Sequence, residues 1–486
     1  MPRIGCGRVD ITPELGLPMV GMPGSPRGEG VQWPLRSRVF LVDDGGRRIA
    51  VVCLDLIALV SQHVAELRER LAVPGGIDPE NILVACSHTH RAPFTETGWG
   101  AAEETTRSYL DLVFARVTQA MDEAVTHLQP AELSVGTVLA KGTPGDWGHG
   151  WAFNRRPIYA GGQVGTHGPA WGNGFMGMEG TADEELAVLL ARGPDGRVLG
   201  GLVDFACHPT AMGHEPVYSA DYPGVLTEEL ENRHGGIFGF LIGAAGDTST
   251  PDPTSRDPES GFGRDHTLAM GRALVDKADE AIQAGRPLTV DRIGVASMRL
   301  RIPQRRPTME QVELARWYLE ERPADLDELD FTRRLYGHDY TFNDGKQLGN
   351  ERHAQELLAM WQWQRRASDD ELVEEVEIQV VTLGDVAVVA FPVELFSDLG
   401  RRVKSGSPFS DTLIATLANG WHGYAPTLEA FARGGYEPRF AYPSRLAPEA
   451  GDRMTDAALE LLRRLSSVDS GSHHWTTAPA PARDSS

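Results

Sequence analysis

The sequence is short of basic residues relative to acidic ones, and this imbalance excludes whole classes of function. Among 486 residues, 46 are lysine or arginine and 68 are aspartate or glutamate, so the formal net charge is −22. Proteins that bind nucleic acid need a basic surface, so we expect no nucleic-acid partner. The same charge disfavours tight docking to anionic lipid.

The sequence also lacks long apolar runs and has few cysteines. No run reaches the roughly 20 residues that a membrane-spanning helix needs. The opening segment MPRIGCGRVDITPELG has no basic region followed by a long apolar stretch, so no signal peptide is predicted. Cys6, Cys53, Cys86 and Cys207 are scattered, mostly inside apolar runs, which favours free thiols over a disulfide framework. These features predict a cytoplasmic protein without stable membrane insertion; they leave its oligomeric state open.

What the sequence does contain is a series of short apolar runs, each followed by a polar loop. Their length and their content of valine and isoleucine predict strands that are buried on both faces. These runs cover residues 48–59, 81–90, 200–210, 237–249, 385–396 and 411–424. Apolar residues at helical spacing cover residues 107–127, 266–284, 309–321, 350–366 and 453–466. The predicted fold class is therefore α/β, with mixed, largely buried sheets flanked by helices.

The domain organisation is predicted to be simple. Residues 1–466 form one domain, with a helical insertion at 300–370. Residues 142–180 are rich in glycine and aromatics, and a long irregular loop of this kind is typical of a lid or pocket wall. A mobile insertion is the alternative interpretation. Residues 467–486 are polar and contain prolines, which predicts a disordered tail.

Polar side chains follow five of the apolar runs, at the points where the predicted strands end. Binding sites in open α/β sheets form outside the carboxyl ends of the strands. We therefore expect one site at the C-terminal ends of the strands. The side chains concerned are His88 and His90, His208, Asp247 with Ser249, Glu394, and Tyr424.

Two imidazoles and a carboxylate are a common ligand set for zinc, and His88, His208 and Glu394 could supply one. A catalytic zinc lowers the pKa of its bound water and polarises a carbonyl group. The intervals between these residues are long, and compact signatures such as H-E-x-x-H are absent. Spacing alone therefore does not decide between a metal site and separate residues.

Each of these residues also has an ordinary structural interpretation. A histidine at a strand end is often just hydrogen-bonded in its loop. Glu394 could lie in the first turn of a helix, Tyr424 could be a packed aromatic, and Ser249 could cap a turn or helix. A serine hydrolase with Ser249 as nucleophile is a second chemistry, although the G-x-S-x-G pattern is absent.

Eight ordered segments between residues 4 and 440 resemble a known family. They are GCGRVDITP, VVCLDLIAL, SHTHRAP, FNRRP, FACHPTAM, GAAGDTSTP, FPVELF and GYAPTLEAFARGGYEP. Each segment is weak evidence alone, but the ordered set resembles the N-terminal catalytic domain of the neutral/alkaline (non-lysosomal) ceramidases.

The resemblance implies a zinc-dependent hydrolase of linear amides, in which zinc-bound water attacks the acyl carbon of a small N-acyl substrate. The implied zinc ligands are His88, His208, Glu394 and Tyr424. His90 would lie beside the metal-bound water and carry a proton, since imidazole titrates near neutral pH. The residues implied to hold the substrate amide and stabilise the oxyanion are Arg155, Ser249 and Tyr436.

The sequence departs from the family pattern in several places. Arg91 and Ala92 stand where the family has serine and glycine, so we expect the pocket to differ there. Thr250 adds one residue between Ser249 and the following proline. No C-terminal β-sandwich domain is predicted. Ceramide and a soluble N-acyl compound are both open as substrates. An esterase, an acyl-transferring enzyme that forms amides, and a non-catalytic binding scaffold are the alternatives.

Overall fold

Three β-sheets of five, five and four strands form the centre of the protein in a computed structural model of the chain. The structure describes residues 1–21, 24–96, 103–140, 150–162, 164–166, 170, 174–257, 260–321, 328–336, 350–368 and 370–468. Four short two-stranded pairs accompany the three sheets in this part of the chain.

The strands are numbered in chain order. They are β1 (Arg3–Asp10), β2 (Gly30–Trp33), β3 (Arg36–Asp43), β4 (Arg48–Leu54), β5 (Ile82–Cys86), β6 (Gln129–Pro130), β7 (Glu132–Leu139), β8 (Phe153–Asn154), β9 (Pro157–Tyr159), β10 (Phe175–Met178), β11 (Glu185–Arg192), β12 (Val198–Phe205), β13 (Val217–Ser219), β14 (Ile237–Ile242), β15 (Thr248–Ser249), β16 (Arg286–Leu288), β17 (Ile293–Pro303), β18 (Val373–Leu383), β19 (Val386–Phe391), β20 (Glu394–Leu395), β21 (Asp411–Thr416) and β22 (Tyr424–Ala425).

The helices lie mainly on the outer faces of the sheets. They are α1 (Ser61–Gly75), α2 (Glu103–Thr126), α3 (Asp221–His234), α4 (Arg264–Ala284), α5 (Met309–Glu321), α6 (Glu328–Tyr336), α7 (Asn350–Gln364), α8 (Ser397–Gly406), α9 (Leu428–Arg433) and α10 (Ala450–Val468). In the described part of the chain, none of these helices combines the length and the apolar character needed to span a bilayer.

The three sheets are mixed, as predicted. Their strand orders are β5-β4-β3-β1-β6, β14-β12-β11-β7-β16 and β17-β18-β19-β21. Each contains one parallel pair at an edge: β4 with β5, β12 with β14, and β19 with β21. The remaining pairs are antiparallel.

A shared apolar core holds the three sheets together. It combines side chains such as Val51 of the first sheet, Leu189 of the second and Val388 of the third. Helix α2 covers the other face of the first sheet, α3 and α4 cover the second, and α8 and α10 cover the third. Strands β5, β14 and β19 are consequently buried on both faces, and this explains why they are apolar almost throughout.

Each of the six apolar runs overlaps an observed strand, and each of the five periodic segments overlaps an observed helix. The strands are shorter than the runs because the runs continue into loops. Helices α1, α3, α8 and α9 were not predicted, and α6 lies within the predicted helical insertion at 300–370. In α3 the buried residues form a nearly continuous block from Asp221 to Thr227 rather than one stripe, so the one-sided periodicity of an amphipathic helix is missing.

Two predictions about irregular segments are corrected where the structure describes them. The 142–180 segment contains three short strands, β8, β9 and β10, so it is not without regular structure. Helix α10 extends to Val468, so the predicted tail starts too early. The rest of that tail, 469–486, lies outside the described residues. The single domain over 1–466 stays a prediction.

The three parallel pairs determine where loops gather. The segment after β5 carries His88, and the segment after β12 carries His208. Glu394 follows β19 and Tyr424 follows β21. All four residues therefore follow the carboxyl end of a strand that belongs to a parallel pair, which is the edge where sites form in α/β proteins.

Close packing between β1 and α2 gives a test of the fold. A Cβ atom added at Gly7 would lie 1.9 Å from the carbonyl oxygen of Ala120 in α2. Gly7→Ala must push the helix off the strand, so we expect it to lower the free energy of unfolding by about 1–3 kcal/mol in urea titrations. Gly30→Ala in β2 is the matched control, since the nearest atom to its added Cβ is 3.6 Å away. Equal losses in both variants would contradict this packing.

Candidate metal centre

Three histidine rings meet at the ends of strands from two sheets. The ring centroids of His88 and His208 are 4.6 Å apart, and His90 lies 5.0 and 5.4 Å from them. One nitrogen from each ring falls within 4.8 Å of the other two. His88 adopts a left-handed backbone conformation, with φ of 67°. Such a conformation is uncommon for a residue other than glycine, and it occurs mainly where surrounding contacts impose it.

The hydrogen bonds of the three rings decide which nitrogen carries the proton. Each ring contacts a backbone carbonyl through Nδ1: that of Ile57 at 2.8 Å for His88, that of Gly21 at 3.0 Å for His90, and that of Ala245 at 2.9 Å for His208. A carbonyl only accepts hydrogen bonds, so each Nδ1 must be the donor. In a neutral ring, the Nε2 atom then carries no proton and has a free lone pair. An imidazole nitrogen binds a metal through such a lone pair.

These lone pairs have nothing to bond to among the described residues unless a cation or proton lies between them. The Nε2 atoms of His88 and His208 are only 3.0 Å apart. Glu394 Oε2 lies 3.4 Å from the first and 3.6 Å from the second. Glu394 Oε2 and His90 Nε2 are buried without a hydrogen-bond partner in the described structure. Ligand atoms around a tetrahedral zinc are separated by about 3.3 Å, so the spacing fits a metal.

Glu394 and Tyr424 are brought side by side by a short parallel pair. Strand β20 pairs with β22, and Glu394 is directly opposite Tyr424. Helix α8 begins only at Ser397, so Glu394 is not in the first turn of a helix. Burial alone would raise the pKa of Glu394, but a protonated His88, the Tyr424 hydroxyl and the Arg155 guanidinium outweigh burial and lower the pKa to about 2. The carboxyl group is therefore ionised at neutral pH.

Trp421 orients this carboxylate. Its indole Nε1 donates a hydrogen bond of 3.2 Å to Glu394 Oε1, which leaves Oε2 directed towards His88 and His208. The residue is three positions before Tyr424 and was not singled out in the sequence. Aromatic residues in loops are common, so its position before Tyr424 carried no specific signal.

Arg155 links the two predicted tyrosines. Its Nη2 atom donates to the Tyr424 hydroxyl at 3.2 Å, and its guanidinium carbon lies 5.8 and 6.0 Å from the ring centres of Tyr424 and Tyr436. The two tyrosine rings are 5.9 Å apart in an edge-to-face arrangement. The structure thus brings Arg155 and Tyr436 to the same place as Tyr424.

Arg155 is buried, and an ion pair with Glu437 holds its guanidinium in position. The carboxylate of Glu437 accepts a bond of 2.8 Å from Arg155 and a second bond from Arg156, and all three side chains are almost completely buried. Arg156 also pairs with Glu179. Sequence reasoning missed Glu437, Arg156 and Glu179. The sequence signal for this network was the pair of consecutive arginines in FNRRP. That segment contains no acidic residue that could pair with them.

Ser249 lies in β15, which pairs with β8 so that Ser249 is opposite Phe153. A further backbone hydrogen bond lies next to this strand pair: the Arg155 N–H donates to the Asp247 carbonyl at 2.9 Å. Asp247 also accepts bonds from Asn154 and from Ser397. Ser249 therefore sits in a strand beside the Arg155 segment rather than at a helix cap.

Two expectations about the first histidine segment are corrected. Arg91 does not line the site through its guanidinium, because that group donates to the carbonyls of Gly213 and Glu215. Burial, followed by the charge that His88 carries when it is protonated, lowers the pKa of His90 to about 3, below the near-neutral value expected from the sequence. A ring with so low a pKa is a weak base, so the role of His90 as proton carrier stays a prediction.

Comparison with known proteins supports the resemblance noted in the sequence. No family model matches the chain. The neutral ceramidase of Pseudomonas aeruginosa is 24% identical over 260 residues, which cover 50% of this chain and 35% of that protein. Neutral ceramidase B of Dictyostelium discoideum is 26% identical over 280 residues, covering 52% of this chain and 36% of that protein. The sequence matches thus span about a third of each of these two proteins.

Solved structures extend the match to the whole fold. The crystal structure of neutral ceramidase from Pseudomonas aeruginosa superposes with a TM-score of 0.66 at 19% identity, over 99% of this chain and 76% of that one. A structure of ceramidase complexed with C2 gives the same TM-score over 77% of its chain. The chain resembles the neutral ceramidases in sequence and in fold. The predicted resemblance to this family is therefore confirmed, whereas the roles of the ceramidase-like site residues stay predictions.

The buried arginine pair gives a test of how the site is supported. Glu437→Gln leaves Arg155 and Arg156 facing a neutral amide, so we expect the free energy of unfolding at pH 7 to fall by about 3 kcal/mol. The arginines hold the pKa of Glu437 below its ordinary value of 4.5, although burial acts in the opposite direction. The stabilisation by the carboxylate is thus complete above that value and is lost as the pH falls. The difference between the two proteins should shrink in urea titrations below about pH 4.5.

Glu66 offers the matched control, because it also pairs with two arginines but near the surface. Glu66→Gln should cost less than about 1 kcal/mol. A loss for Glu437→Gln that is no larger than this would show that the buried network contributes little.

Proposed function

We propose that the chain is a zinc-dependent amidohydrolase that cleaves the N-acyl bond of a ceramide-like or other N-acylated small molecule. One observation carries the proposal: three imidazole Nε2 lone pairs and the free Oε2 of Glu394 converge at one buried place. The likeness to the neutral ceramidases supports amide hydrolysis as the reaction.

The residues that would hold the metal are His88, His208, Glu394 and Tyr424. A zinc ion bound there would supply a Lewis acid for the substrate carbonyl and lower the pKa of a water molecule to near neutral. The hydrogen bonds from the Nδ1 atoms of His88 and His208 to backbone carbonyls keep both Nε2 atoms available. A hydrogen bond that orients a ligating histidine raises the affinity of the site for its metal.

The chain's own residues would carry the remaining steps. The Nε2 atom of His90 is buried beside the centre without a hydrogen-bond partner in the described structure, and it would accept a proton there and pass it to the leaving amine. Arg155 places a buried positive charge between Tyr424 and Tyr436, where it stabilises negative charge on the carbonyl oxygen of the substrate. Glu437 holds that charge in place. Ser249 would hydrogen-bond the substrate amide.

The separation of roles between the histidines can be tested by metal content. His88→Ala should lose zinc as well as activity, because it removes a ligand. His90→Ala should keep about one equivalent of zinc while its kcat falls about 10²–10⁴-fold, since only proton transfer is removed. Elemental analysis and amide-hydrolysis assays on protein purified without chelator would measure both.

His353→Ala is the control for removing a buried imidazole, since His353 lies in α7 and contacts Tyr336. It should keep both zinc and activity. Loss of zinc from His90→Ala would make His90 a ligand instead. Less than about half an equivalent of zinc in the unaltered protein would overturn the metal centre.

The reaction class is tested by comparing N-acyl sphingosine, short N-acyl amines and the matching esters as substrates. An amidohydrolase should release free fatty acid and amine from at least one amide, with a higher kcat/KM than for the ester. Faster hydrolysis of the ester would favour an esterase. Net formation of amide from acyl donor and added amine would favour the acyl-transferring alternative.

A further inference from the structure

Arg91 is one of the largest fully buried side chains of the described structure, with 1% of its surface exposed. A buried guanidinium loses its hydration, so it is stable only with several hydrogen bonds and a nearby negative charge. It stands in the segment 87–93, called here the first histidine loop, which carries His88 and His90. The contacts of Arg91 lead to a different part of the chain.

Those contacts are with residues 206–221, called here the second histidine loop, which carries His208. The two Nη atoms of Arg91 donate to the backbone carbonyls of Gly213 and Glu215. The carboxylate of Asp221, which is completely buried, provides the compensating charge. Arg91 therefore uses its planar fork to join the two loops that bear the candidate ligands.

Backbone and hydroxyl contacts join the loops at neighbouring points. Ser219 donates its N–H to the Arg91 carbonyl at 3.1 Å. Thr89 lies between the two histidines of the first loop, and its hydroxyl donates to the Ser219 carbonyl at 2.6 Å. These contacts between the two loops therefore include Thr89, the residue that lies between His88 and His90 in the chain.

Two residues in these loops have unusual backbone conformations. His88 has φ of 67° in the first loop, and Asp221 has φ of 56° at the end of the second. A left-handed conformation costs roughly 1 kcal/mol for a residue other than glycine, so the surroundings must impose it. The His88 N–H donates to the Leu56 carbonyl, and the Asp221 carboxylate accepts from the Met212 N–H within the second histidine loop.

We propose that Arg91 is a positioning residue that fixes the first histidine loop against the second and so determines how tightly the histidine centre binds a divalent metal. This proposal rests on the metal centre of the proposed function. Arg91 touches neither the metal position nor the substrate. It acts through the distance between the Nε2 atoms of His88 and His208, which is 3.0 Å in this structure.

Arg91→Lys tests the proposal, because lysine keeps the charge but cannot reach both carbonyls with one planar group. We expect the dissociation constant for zinc, measured by competition with a chromogenic chelator, to rise about 10–100-fold. The increase in Tm when zinc is added to the metal-free protein should become smaller in parallel. A merely structural role would lower both Tm values equally and leave that increase unchanged.

Arg68→Lys is the matched control. Arg68 is also buried and also donates to a backbone carbonyl, that of Ile82, but at the opposite end of β5 from His88. It should lose stability and keep its zinc affinity. Unchanged zinc affinity in Arg91→Lys, or an equal loss in Arg68→Lys, would overturn the positioning role while zinc binding by the unaltered protein upholds the metal centre.

A second variant covers the case in which Arg91→Lys does not fold. Thr89→Val removes the hydrogen bond to the Ser219 carbonyl and the bond that the hydroxyl accepts from the Arg91 N–H, with little change of shape, and it leaves every charge paired. We expect its dissociation constant for zinc to rise about 5–30-fold, as for the loss of up to two neutral hydrogen bonds. Zinc binding equal to that of the unaltered protein would overturn the proposal. If the unaltered protein binds no zinc, both this proposal and the proposed function fail.

Discussion

The interaction on which the rest of the site depends is the set of hydrogen bonds from three Nδ1–H groups to backbone carbonyls. These bonds commit each imidazole to one tautomer and direct its lone pair inward. Two such nitrogens 3.0 Å apart repel each other, and an ionised carboxylate beside them does not relieve the repulsion. Buried polar atoms without partners are costly, so their concentration here is the property of a binding site for a cation rather than of a core.

The surrounding structure is arranged to hold this centre rigidly. Glu394 is oriented by Trp421 and by its register with Tyr424. Arg155 is oriented by Glu437, which also pairs with Arg156. A buried charge pair contributes little net stability but defines geometry strictly, because removing either partner leaves an unpaired charge. The site therefore gains precision from interactions that a hydrophobic core would not need.

One departure from the ceramidase-like pattern, Arg91, contacts the scaffold of the site. A substitution next to a catalytic segment suggests a change in the pocket wall, and Arg91 was expected to make one. Its guanidinium instead joins two loops. Arg156 is similar, since it connects the buried Glu437 to Glu179 of the glycine-rich segment. In both cases a long side chain next to a site residue reaches away from the site.

Much of the fold and of the candidate site followed from sequence alone. Strands buried on both faces are apolar throughout, and amphipathic helices repeat at helical spacing, so both leave local patterns. The residues after the strands, such as His88 and Glu394, were predictable because the carboxyl ends of strands are where sites form. Which ring nitrogen carries a proton, which acid pairs with Arg155, and where Arg91 reaches were decided only by the tertiary structure. The histidine rings depend on carbonyls 31 to 69 residues away, and Arg155 and Arg91 depend on partners more than a hundred residues away, so no local pattern encodes these contacts.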